Sequence, residues 1–120
     1  MYDHIGLKVK DLGTSIRFYE RVLTPLGHVV GPKDESSAGI GPTDSPALWL
    51  YADGRSAGSR AHIAFRAKSR AEVDAFHREG LKSGGRDNGP PGVRADYSPN
   101  YYAAFLFDPD GNNVEAVHLG

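Results

Sequence analysis

The sequence repeats itself. The stretch "DHIGLKVKDLGTSIRFYERVLTPLG" (3–27) lies over "AHIAFRAKSRAEVDAFHREGLKSGG" (61–85) without a gap, at an offset of 62 − 4 = 58 residues. His4 meets His62, Ile5 meets Ile63, Lys10 meets Lys68, Phe18 meets Phe76, Leu23 meets Leu81 and Gly27 meets Gly85. Identity at so many positions marks a duplicated unit about half the chain long, so the chain reads as a single domain of two modules, 1–58 and 59–120.

Each unit opens with an alternating segment. Ile5, Leu7 and Val9 point one way while His4, Gly6 and Lys8 point the other, the period of a half-buried strand. Asp11 then caps a helix whose apolar residues Leu12, Ile16, Tyr19, Leu23 and Leu26 recur at spacings of three and four, up to a stop at Gly27. In the second unit Ser69 followed by Glu72 is a capping box, and Val73, Phe76 and Leu81 carry the expected buried stripe to Gly84 and Gly85. Shorter strands are predicted at "HVVG" (28–31), "SAGIG" (37–41) and "ALWLY" (47–51), then at "YYAAFLF" (101–107) and "NVEAVHL" (113–119). "DPDGNN" (108–113) is a hairpin turn, and 52–60 links the units. The segment 86–100, broken by prolines and glycines, is expected to be a long edge segment with a loop and not a full strand. The resulting order is strand, helix and three strands, twice over: an α+β chain of two tandem βαβββ modules.

Composition narrows the chemistry. The 14 basic and 15 acidic side chains leave a net charge of −1, which argues against bulk attraction to nucleic acid or to an anionic membrane. No apolar run approaches the roughly 20 residues of a membrane span, and "MYDHIGLKVKDL" lacks the order of a signal peptide, so a cytoplasmic protein is expected. With no cysteine, disulfides, thiolate metal sites and a cysteine nucleophile are excluded, and histidine and carboxylate are the good ligands left.

The apolar triplets Ile5/Leu7/Val9 and Ile63/Phe65/Ala67 are needed to cover the helices, so His4 and His62 face away from them, onto the concave side of the sheet. In the last strand Asn113, Glu115 and Val117 alternate to that same side. Two imidazoles and a carboxylate on one face suit a divalent metal with open coordination positions; the alternative is a Glu115 ion pair with Arg66 or Lys8.

The paired modules, "DHIGLKV" at the first start, "AHIAF" at the second and "DPDGNNVEAV" near the end resemble, over essentially the whole chain, the vicinal oxygen chelate superfamily. That superfamily holds glyoxalase I, bleomycin-resistance proteins, fosfomycin-modifying transferases, methylmalonyl-CoA epimerases and extradiol dioxygenases. The resemblance implies an open, strongly curved mixed sheet, a half barrel with helices on the outside, often arranged through a homodimer whose sites draw on one chain or both. It implies a divalent metal (Fe, Mn, Ni, Co or Zn) held by the first and last strands of the modules, which by position are His4, His62 and Glu115. The remaining ligand position falls in "ALWLY", which has no carboxylate or Gln, a departure from glyoxalase I and the epimerases. The His/His/Glu set looks more like the fosfomycin-modifying and dioxygenase branches.

The implied activity is metal-dependent chemistry on a small molecule chelated through two oxygens, with lyase, dioxygenase and transferase reactions all open. Substrate-contacting candidates are Trp49 and Tyr51 on the concave side, Arg66 on the second opening strand, and Arg94, Tyr97, Tyr101 and Tyr102 in and beside the Pro-rich loop. The other reading is a metal-free small-molecule binding protein of the bleomycin-resistance kind, walled by aromatics. His28, His77 and His118 are not expected to be ligands.

Overall fold

The computed structural model describes all 120 residues. Strand β1 (Ile5–Val9) leads into helix α1 (Leu12–Leu23), a short 3-10 turn (Thr24–Leu26) and strands β2 (Val29–Lys33), β3 (Ser37–Gly41) and β4 (Leu48–Ala52). The second half repeats the order with β5 (His62–Arg66), α2 (Arg70–Lys82), β6 (Arg86–Val93), β7 (Tyr101–Phe107) and β8 (Asn113–Leu119). The strands form two four-stranded mixed sheets, ordered β1-β4-β3-β2 and β5-β8-β7-β6, not closed into a barrel. This is the α+β arrangement of two βαβββ modules expected from the sequence, and no helix is long and apolar enough to cross a membrane.

The helices begin where side chains supply the missing acceptors. Asp11 accepts from the Thr14 N–H at 2.9 Å and Ser69 from the Glu72 N–H at 3.2 Å, while Glu72 reaches back to the Lys68 N–H at 3.0 Å. The first helical stretch stops at Gly27, whose φ of 91° is left-handed. Each helix packs on its own sheet and α1 also packs on α2. The core is a single cluster drawing on both halves, with Leu7, Val9, Phe18, Tyr19, Ile40 and Leu50 meeting Val73, Phe76, Leu106 and Val114.

One sequence expectation needs correction. Leu81 does not continue the buried stripe of α2: it is 48% exposed, and the inward face is Val73, Phe76, His77 and Gly80. Close approach is the cause, because a Cβ on Gly80 would lie 2.2 Å from Leu106 and 3.1 Å from Val22. That contact sets the rotation of α2 and turns Leu81 outward. The long edge segment with a loop expected over 86–100 is the eight-residue edge strand β6 followed by the loop 94–100. Its pairing with β7 slips between Asp87 and Gly89 and again between Gly89 and Gly92. Pro90 and Pro91 fall in the second slip, where β6 carries an extra residue and no ladder N–H is required of them.

The halves are tied together by the β7–β8 turn. Asp108 is 1% exposed and accepts from the Tyr19 hydroxyl of α1 at 2.5 Å, from the Asn112 side-chain amide at 2.9 Å, and from the backbone N–H groups of Asp110 and Asn112, both at 2.9 Å. Asn112, wholly buried, accepts from the Ala61 N–H at 2.9 Å and so holds the entry to β5. Asp110 reaches the other half by accepting from the Lys10 N–H at 3.2 Å. Burial and the Asp108 carboxylate together push the Tyr19 hydroxyl well above its ordinary range, so it stays a donor.

Asp108→Ala is expected to cost about 3–5 kcal/mol in urea unfolding, since it strands several buried donors, whereas Tyr19→Phe should cost about 1–3 kcal/mol. Equal losses would refute the shared-hub arrangement. The Asp11 carboxyl is held below its ordinary range chiefly by its bond from the Thr14 N–H. A lowered folded pKa gives stability that is present above the unfolded value and lost as pH falls through the folded one. Asp11→Asn, which keeps the cap, should therefore flatten part of the acid limb of a stability-versus-pH profile below about pH 4; an unchanged limb would contradict it.

Candidate metal centre

Parallel pairing of β5 with β8 puts Ala64 opposite Glu115, with His62 opposite Asn113. Ile63, Val114 and Ala116 turn into the core, so His62 and Glu115 emerge together on the other face. The Glu115 carboxylate is 3% exposed and its Oε1 lies 3.0 Å from His62 Nε2. Its Oε2 accepts from the Tyr101 hydroxyl at 2.7 Å. Burial, then that bond and the carboxylate charge, push the Tyr101 hydroxyl up to about 12, which keeps the proton on it.

The other His62 nitrogen, Nδ1, is 3.1 Å from the Asn113 carbonyl oxygen, which can only accept. Nδ1 therefore carries a hydrogen, and in the neutral ring Nε2 presents a lone pair to a carboxylate oxygen. Two acceptors at 3.0 Å repel unless a positive species stands between them, either a proton on Nε2 or a metal cation. Neither Arg66 nor Lys8 pairs with Glu115, so the ion-pair alternative read from the sequence is replaced by this His62 contact.

The separation also suits one metal. Donors about 2.1 Å from a divalent cation lie about 3.0–3.4 Å apart at octahedral to tetrahedral angles. His4 is not part of the pair. It stands half-exposed with Nδ1 2.6 Å from the Asp3 carboxylate, and no three His, Asp or Glu side chains of the single chain are grouped to share a metal. Within one chain the structure brings together two of the three candidate ligands, His62 and Glu115, and leaves His4 apart. The reason is topological: His4 precedes β1 at the edge of one sheet, His62 opens β5 at the edge of the other, and the two strands are not paired.

A ring of side chains surrounds His62 and Glu115. The Phe105 ring stacks on His62 at 6.4 Å and the Arg94 guanidinium lies 5.4 Å from the Phe105 ring centre, donating to the Pro90 carbonyl at 2.6 Å. Tyr97 meets Tyr101 edge to face at 4.9 Å. Tyr102 is on the opposite side of β7, donating to Asp74 of α2 at 2.6 Å beneath the Arg70 guanidinium. Arg66 shares the exposed face of β5 with His62. Phe105 escaped the sequence reading; its antiparallel register with Glu115 was the signal that would have found it.

On the first sheet Trp49 pairs with Gly6, as Glu115 pairs with Ala64 on the second, so an indole occupies the place of the carboxylate. Trp49 and Tyr51 stack at 6.5 Å and 18°. Glycines make room for both rings, since a Cβ would lie 2.8 Å from Tyr51 at Gly6 and 2.9 Å from Trp49 at Gly39.

A model of the Glyoxalase/Bleomycin resistance protein/Dioxygenase superfamily matches residues 2–116. A glyoxalase/bleomycin resistance protein from Albidiferax ferrireducens T118 is 31% identical, with a TM-score of 0.81 and 98% of each chain covered. A glyoxalase/bleomycin resistance protein/dioxygenase family enzyme from Burkholderia phytofirmans PsJN is 15% identical, with a TM-score of 0.75 and the same coverage; it shares the fold. A glyoxalase-related enzyme from Fulvimarina pelagi, 19% identical over 95% of this chain and 84% of its own, does likewise with a TM-score of 0.70. No curated protein matches the chain in sequence.

Long-range proton–nitrogen NMR is expected to show His62 with Nδ1 protonated in every state of the ring. A neutral ring carrying its proton on Nε2 would contradict the Asn113 contact.

Proposed function

The chain belongs to the Glyoxalase/Bleomycin resistance protein/Dioxygenase superfamily, and from that premise we propose that it is a metal-dependent enzyme acting on a small molecule that chelates a divalent cation through two oxygens. The cation, one of Fe, Mn, Ni, Co or Zn, is held by His62 and Glu115 of one subunit and by His4 of a second copy in a homodimer. The observation that carries this reading is the 3.0 Å approach of His62 Nε2 to a buried carboxylate that has no lysine or arginine for company.

Two features support the second copy. His4 stands clear of the pair in its own chain, and the inner faces of both sheets are open, with Gly6, Lys8 and Tyr51 exposed on one and His62, Ala64 and Arg66 on the other. Opposed in a dimer, these faces would put a flat aromatic wall across from the acidic centre.

The bound cation supplies Lewis acidity to the substrate oxygens. The protein does the rest. The Asn113 carbonyl holds the His62 ring in the tautomer that ligates, and Tyr101 holds Glu115 by its outer oxygen, leaving the inner one free. Phe105 shields one face of His62 from water. Trp49 and Tyr51 offer a stacking surface, and Arg66 and Arg94 offer positive charge to an anionic group. Tyr97 borders the site through Tyr101, while Tyr102, on the helix side, braces β7 against α2. A second reading, a metal-free binding protein, draws on the stacked Trp49–Tyr51 pair, which serves a flat ligand with or without chemistry.

Protein purified without chelator is expected to hold stoichiometric metal by elemental analysis, and His62→Ala, Glu115→Gln and His4→Ala each to lose it. Mixing unfolded His4→Ala and Glu115→Gln chains and refolding them together should restore one intact site per heterodimer. Wild-type protein without metal, binding a flat ligand equally well in EDTA, would replace this reading by the second. Metal in the wild type with no recovery on mixing would refute the two-subunit site.

A further inference from the structure

His4 and His62 occupy the same place in the two modules, yet their rings are held in different ways. His62 lies inside β5, opposite Asn113, and its Nδ1 meets the Asn113 carbonyl oxygen at 3.1 Å. The backbone closes there, because the Asn113 N–H donates to the Ala61 carbonyl at 2.9 Å. Ile5 pairs with Leu48 as Ile63 pairs with Val114, so the residue of the first module that answers to Asn113 is Ala47. Its N–H donates instead to the Ile40 carbonyl of β3 at 3.0 Å, and β1 begins only at Ile5. His4 therefore stands just outside the ladder, without the backbone acceptor that its counterpart uses.

The preceding residue makes up the difference. Where the second module has Ala61, the first has Asp3, whose Oδ1 lies 2.6 Å from His4 Nδ1. An ionised carboxylate only accepts, so this Nδ1 also carries a hydrogen and the neutral ring presents Nε2. Metal-ligating histidines almost always have their second ring nitrogen engaged in this way, which fixes the tautomer and the direction of the ring. We infer that Asp3 is a positioning residue of the metal centre: it does for His4 what the Asn113 carbonyl does for His62, keeping the hydrogen on Nδ1 so that Nε2 is the donor. The inference rests on the reading of His4 as a ligand.

An acceptor on the adjacent residue suits a ligand that reaches into another subunit. An acceptor on a neighbouring strand ties a ring to its own sheet, whereas Asp3 moves with His4. A carboxylate also adds what a carbonyl does not, since its charge makes the imidazole a stronger donor to a cation. Asp3 is exposed and makes no other side-chain hydrogen bond. Exposed pairs of this kind contribute little to folding, so removing the carboxylate leaves the fold in place and frees the ring.

The test compares the wild type with Asp3→Ala and Asp3→Glu. In EDTA at about pH 9, where an ordinary imidazole is neutral, long-range proton–nitrogen NMR should show the wild-type His4 with its hydrogen on Nδ1. In Asp3→Ala the hydrogen should shift toward Nε2, Asp3→Glu should return it, and His62 should read the same in all three chains. In calorimetric titration with Zn²⁺, Asp3→Ala should bind about tenfold more weakly than the wild type, and Asp3→Glu should recover most of that loss. A His4 tautomer indifferent to Asp3, or equal Zn²⁺ affinity in the wild type and Asp3→Ala, would overturn the inference. Wild-type protein with the expected tautomer and no Zn²⁺ uptake would overturn the metal reading instead, so the two failures are read apart.

Discussion

Everything about the molecule leans on one buried carboxylate. Asp108 sits in the turn between β7 and β8, yet it accepts the hydroxyl of Tyr19 from the opposite half and the amides of its own turn. A turn aspartate is ordinarily solvated; here its desolvation is offset by four donors, and hydrogen bonds to a charged acceptor contribute about 1.5–3 kcal/mol each. The geometry transmits directly. Asn112, held by Asp108, holds Ala61, and the Asn113 N–H donates to the Ala61 carbonyl at 2.9 Å, so the entry of β5 and the entry of β8 are set from one point. His62 and Glu115 belong to those two strands. The hub that joins the halves is thus also what aligns the candidate metal ligands.

The duplication was plain in the sequence because helix caps, stops and strand alternation all recur at one offset. The His62–Glu115 encounter was legible for the same reason: two alternations, each pinned by apolar neighbours that need the core, leave little freedom for where the polar members go. What failed has particular causes. Leu81 carries a hydrophobic label, but the rotation of α2 is decided by the absent side chain of Gly80, and periodicity counts what is present. Tyr101 and Tyr102 look interchangeable in composition, yet a one-residue step along β7 sends one to Glu115 and the other to α2. His4 aligned with His62 in every respect a sequence offers; whether the two meet depends on how sheets are placed, which strand pattern leaves open.

The two halves have diverged at one register position, and that divergence separates chemistry from recognition. Where the second sheet sets Glu115 opposite Ala64, the first sets Trp49 opposite Gly6. A carboxylate there needs polar partners, which His62 and Tyr101 are; an indole needs area and clearance, which Gly6 and Gly39 provide. Each solution carries its own supporting residues, and neither set is repeated in the other half. A duplicated fold with two identical inner faces would offer two equivalent sites or none. One with an acidic face and an aromatic face offers a ligand-binding edge and a stacking wall that complete each other only when a first sheet is set against a second.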